Sequence, residues 1–99
     1  MTKIELNEKL RDPVYAVVFQ AVRSFSRETR RQDDFRIWLW YGNRLGHNTL
    51  LQLIFELEHE METDRLERRR PVDNPAAVFH RRLQNIYRFY YRKEKGTRS

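Results

Sequence analysis

The amino-acid sequence predicts an all-α fold: one small domain, a bundle or orthogonal array of about four helices spanning residues 1–99. Three observations carry this. Apolar residues recur at i, i+3, i+4 and i+7 in separate stretches, the spacing of one helix face. Asp-Pro, Gly and Asn-Pro stand at the borders of those stretches, where helices start and stop. With 39% apolar and 13% aromatic residues, 99 residues can build one core but not two.

Residues 1–12 are read as a short N-terminal arm, in which Ile4, Leu6 and Leu10 suit either a short helix or an extended segment. Asp12 then caps a first helix and Pro13 occupies its first turn, where the missing N–H costs nothing. Tyr15, Val18, Phe19, Val22 and Phe25 mark its apolar face, and the helix is expected to run to about residue 31. Asp33 or Asp34 is expected to cap a second helix containing Phe35, Ile37, Trp38, Leu39, Trp40 and Tyr41. That cluster is apolar all round, which suits a core centre or a core face plus an interaction face. Gly46 is the expected C-cap.

Thr49 and Gln52 have capping-box spacing and open a third helix to about residue 66. Leu50, Ile54, Leu57 and Met61 form its stripe, which Leu51, Leu53 and Phe55 widen, and Glu56, Glu58, Glu60 and Glu62 lie beyond it. Asn74-Pro75 is an N-cap followed by Pro at the first helical position and starts a fourth helix. Its core row is Phe79, Leu83, Ile86 and Tyr90, and Arg81, Asn85, Arg88 and Arg92 repeat with the same spacing on the far face. From about residue 93 the chain reads as a basic polar tail.

The formal charge of +6 is unevenly distributed. Residues 1–34 carry +1, residues 35–64 carry −3 and residues 65–99 carry +8. A basic closing helix thus lies beside an acidic leucine helix. Such asymmetry points to nucleic acid or an acidic protein as partner, or to head-to-tail or antiparallel self-association in a homodimer. The absence of Cys excludes disulfides and cysteine nucleophiles. No apolar run is long enough to span a membrane, and the opening residues lack the apolar core of a signal peptide, so a cytoplasmic location is expected.

No catalytic constellation is apparent. Glu56 and His59 show the Glu-x-x-His spacing of di-iron bundles, but that chemistry needs a second such motif and two further carboxylates. His47 and His80 join no metal-ligand pattern, the glycines form no phosphate-binding loop, and Ser24 and Ser26 have no partner spacing. Neither an enzyme nor a metal or other cofactor is expected.

Nucleic-acid binding, with DNA foremost, is the first functional expectation. Arg81, Arg82, Arg88, Arg92 and Lys93 alternate with aromatic residues on the fourth helix, and Arg68, Arg69 and Arg70 add charge on the connection into it. Guanidinium groups grip phosphate oxygens and aromatic rings stack on bases. The second expectation is a protein-interaction adaptor, docking a partner through Trp38, Trp40, Tyr41, Phe89 and Tyr91 or through the acidic helix. Tyr90 is assigned to the core. The third helix is too leucine-rich and acidic to serve as a helix-turn-helix recognition element.

One pattern adds to this reading. Tyr41-Gly42, Leu50-Leu51, Leu57, then Asp73-Asn74-Pro75-Ala76-Ala77-Val78-Phe79 and Leu83 together resemble the helical domains of bacterial replication-accessory proteins, DnaD-like, helicase-loader or plasmid-replication. The resemblance covers residues 38–86 and implies association with DNA or a helicase. The chain departs from the pattern in its acidic third helix and in lacking a separate winged-helix domain.

Overall fold

Asp12 starts the first helix as its chemistry requires: its Oδ1 accepts a 3.0 Å hydrogen bond from the Val14 N–H, which would otherwise be an orphan donor of the first turn. The computed structural model describes residues 8–67 and 73–96, with side chains through Tyr90. Among them the fold is an all-α bundle of four helices: α1 (Pro13–Phe25), α2 (Arg31–Leu45), α3 (His47–Leu66) and α4 (Pro75–Gly96). A 3-10 turn at Glu28–Arg30 precedes α2. Each helix touches the other three, so one core serves them all.

α1 ends earlier than its periodicity suggests. Ser26 adopts an extended backbone (φ −77°, ψ 140°) while its N–H still bonds to the Val22 carbonyl. Its hydroxyl then donates to Asp34 Oδ2 at 2.6 Å. Serine competes well for such local bonds, which is why it suits a helix end. Asp34 therefore does not cap α2. It sits in the first turn with Asp33, where carboxylates favour the positive end of the helix dipole.

Gly46 separates α2 from α3 alone. At φ 88°, ψ 156° it occupies a region essentially closed to side-chain-bearing residues. It ends α2 by donating its N–H to the Gly42 carbonyl and opens α3 by accepting from the Leu50 N–H. The expected Thr49 capping box is thus superseded: α3 has begun by His47, and Thr49 is already inside it. Asn74 behaves as expected, its Oδ1 accepting from the Ala77 N–H at 3.2 Å.

The core is built from Val17, Val18, Ala21, Val22 and Phe25 of α1, Trp38 of α2, Leu50, Leu53, Ile54 and Leu57 of α3, and Phe79 and Leu83 of α4. Phe79 is its hub, with the Trp38 ring edge-on at 4.8 Å and the Phe25 ring at 5.3 Å. Phe55 is 61% exposed rather than part of the stripe, because it stands about 140° around α3 from Leu50. Tyr90 also leaves the expected core, at 49% exposed. α3 and α4 run antiparallel, with Arg82 paired to Glu60. The groove beside Tyr90 is lined by Thr49, only two residues from the start of α3, so little of that helix remains to cover the ring.

Candidate nucleic-acid interface

The outer face of α4 carries a row of exposed cations. Arg81 and Arg88 are exposed, with Asn85 between them on the same row. Seven residues at 1.5 Å each place the two guanidinium stems about 10 Å apart along the axis. Among the described residues neither has an acidic partner within salt-bridge distance. The helix backbone continues to Gly96, carrying Arg92 and Lys93 onward, although the side chains of Tyr91, Arg92 and Lys93 lie outside the described residues. Arg68, Arg69 and Arg70 lie outside them entirely.

Arg82 departs from the expected phosphate-binding set. It is one residue, about 100°, around α4 from Arg81, which turns it toward the acidic side of α3. There its Nη2 is ion-paired with Glu60, and its side chain is only 29% exposed. The charge of Arg82 is spent within the fold. Arg65, on α3, is likewise paired, with Glu62.

The aromatic cluster of α2 divides by face. Trp38 is fully buried and belongs to the core, which removes it from the expected docking set. Trp40 is 43% exposed and Tyr41 half-buried. These two meet Tyr87 of α4, with ring centroids 5.2 Å from Trp40 and 5.8 Å from Tyr41. Trp40 and Tyr41 are themselves edge-to-face at 5.1 Å, and His80 closes the row 5.9 Å from Tyr41. Arg44 lies over the Trp40 ring at 3.5 Å, and its Nη1 donates to the Trp40 carbonyl at 2.8 Å.

The fold thus brings two separately expected sets together. Tyr87 and His80 immediately precede Arg88 and Arg81, so the aromatic row and the cationic row are adjacent strips of α4. Phe89 stands apart on the other flank, 64% exposed and edge-to-face with Tyr90 at 5.9 Å. It borders a groove of about 360 Å³ between α3 and α4. Arg44 is the residue that sequence reasoning missed. Its signal was present: it follows Trp40 by four positions, the spacing that stacks two side chains on a helix.

Another concavity, of about 530 Å³, lies between α1 and α2, where Tyr15, Phe19, Val22 and Phe35 form an apolar floor and Arg23 and Arg31 a basic rim. Among the described residues no three His, Asp or Glu side chains are placed to hold a metal ion, and no helix is long and apolar enough to cross a membrane.

No protein-family model matches this chain, and neither a curated protein nor a solved structure matches it. The likeness to replication-accessory domains rests on the sequence pattern alone.

Proposed function

We propose that the protein is a non-enzymatic nucleic-acid-binding accessory protein that grips phosphates with the outer face of α4. The observation that carries this reading is the row of Arg81 and Arg88, exposed and without acidic partners among the described residues, on a helix whose basic run continues beyond it. Arg82 and Arg65, by contrast, are paired with Glu60 and Glu62. The replication-like pattern makes DNA the first ligand to test, and a cytoplasmic location belongs to the same reading.

The test is a salt series. Binding of mixed-sequence DNA is expected to weaken steeply with salt. Arg81→Glu/Arg88→Glu is expected to flatten the slope of log K against log salt by about 1 for each phosphate no longer neutralised. Absence of binding at low salt, or an unchanged slope in the double variant, would overturn the proposal.

A second reading has its own observation. The outer face of α3 exposes Phe55 and Leu66, at 61% and 71%, beside Glu62. An exposed apolar pair with acidic flanks suits a protein partner or a second copy of the chain. Sedimentation of the native chain and Phe55→Glu tests it: a concentration-dependent association lost in the variant supports the reading, and a native monomer at all concentrations removes the second-copy form.

A further inference from the structure

We infer that Trp40 and Arg44 form a stacking ledge for an unpaired base, which makes single-stranded nucleic acid the preferred ligand. This inference rests on the proposed nucleic-acid function and specifies its substrate class.

The geometry of the pair is the starting point. The Arg44 guanidinium lies 3.5 Å from the centre of the indole ring, the separation of a van der Waals stack. Its orientation is held by the hydrogen bond from Nη1 to the Trp40 carbonyl, on the same helix. Among the described residues no carboxylate is paired with this guanidinium. Trp40 and Arg44 are both exposed.

The support beneath the ledge is equally specific. Tyr41 and Tyr87 meet Trp40 edge-to-face, at 84° and 61° to its plane. They brace the indole from α2 and α4. Because Tyr87 adjoins Arg88, the ledge lies beside the cationic row rather than across the molecule from it. A strand whose phosphates run along Arg81 and Arg88 can turn one base onto Arg44.

Only an unpaired base can do so. Guanidinium planes and aromatic rings are common platforms for the faces of splayed-out bases. In a duplex those faces are already stacked on neighbouring pairs, so the ledge discriminates by strandedness. Phosphate contacts at Arg81 and Arg88 are shared by both ligands.

The experiment compares an oligothymidylate of about 20 nucleotides with a mixed-sequence duplex of the same length, at one salt concentration, for the native chain, Trp40→Ala and Arg44→Lys. Arg44→Lys keeps the charge and removes the planar guanidinium, and its exposed position leaves the fold unburdened. The native chain is expected to favour the single strand. Trp40→Ala is expected to weaken single-strand binding by about 5- to 100-fold, Arg44→Lys by a smaller factor, and both to leave duplex binding within about twofold. With Trp38 fully buried, quenching of tryptophan fluorescence by the single strand is expected to vanish in a folded Trp40→Phe chain. A native preference for duplex, or equal weakening of both ligands in Arg44→Lys, overturns the ledge and leaves the α4 proposal standing. Absence of binding to either ligand overturns both.

Discussion

Ser26 Oγ donates a 2.6 Å hydrogen bond to Asp34 Oδ2, joining the end of α1 to the first turn of α2. Both residues are 9% exposed, so neither group can recover its partner from bulk water. Hydrogen bonds to a charged group contribute about 1.5–3 kcal/mol, and an orphaned buried partner adds its own desolvation cost. Ser26→Ala is therefore expected to lower unfolding free energy by about 2 kcal/mol in urea denaturation. Asp34→Asn, which keeps an acceptor, is expected to cost less than Asp34→Ala. A loss below about 0.5 kcal/mol for Ser26→Ala would mean that the bond does not hold this corner.

The two glycines that bracket the end of α2 are required for different reasons, and the difference is measurable. A Cβ on Gly42 would stand 2.8 Å from Leu50 Cδ1 and 2.9 Å from Val14 Cγ1, inside the core. Overpacking of about 1–3 kcal/mol there outweighs the gain of about 1 kcal/mol in helix propensity, so Gly42→Ala is expected to destabilise by about 1 kcal/mol and Gly42→Val by more. Gly46 has open space around it, and its constraint is the backbone at φ 88°. Gly46→Ala is expected to cost about 1–3 kcal/mol. Val14→Ala should relieve Gly42→Ala in a double-mutant cycle and add independently to Gly46→Ala. Additivity in both cycles would show that the close approach of α1 to Gly42 is not what excludes a side chain.

Arg82 and Glu60 join α4 to the acidic helix, and their pairing predicts an unequal ranking of arginines. Arg82→Gln is expected to change the salt slope of DNA binding by less than Arg88→Gln, because its charge is already engaged. Glu60→Gln removes a repulsive carboxylate and releases Arg82, so it is expected to steepen the slope by up to about 1. The pair is half-exposed, and either change should alter stability by no more than about 1 kcal/mol. Equal flattening by Arg82→Gln and Arg88→Gln would show that the ion pair opens to admit phosphate.

Much of this architecture was legible wherever the determining chemistry is local. Asp12-Pro13, Gly46 and Asn74-Pro75 each act within one helical turn, and each marks a helix border in the fold. The same holds for the core residues near helix centres, such as Val18, Ile54, Leu57 and Leu83, which a 3.6-residue period places on one face. Periodicity failed where its reach ended. Tyr90 is in register with Leu83 yet half-exposed, because the covering helix stops near it. Trp38 and Trp40 are two positions apart in one apolar run, about 200° around the helix, so one is fully buried and the other meets solvent.

By itself, then, the sequence determined the four helices, half of their borders and the cationic row of α4, since capping and helical spacing depend on residues three or four positions apart. Tertiary structure decided which of the apolar and charged side chains remained available. It placed Arg82 against Glu60 and left Arg81 and Arg88 without acidic partners among the described residues. It set Tyr87 against Trp40 across more than forty residues of chain, which makes one surface of two separate clusters. The physical reason is that partnership and burial depend on where neighbouring helices run and end, and that information is spread over the whole chain.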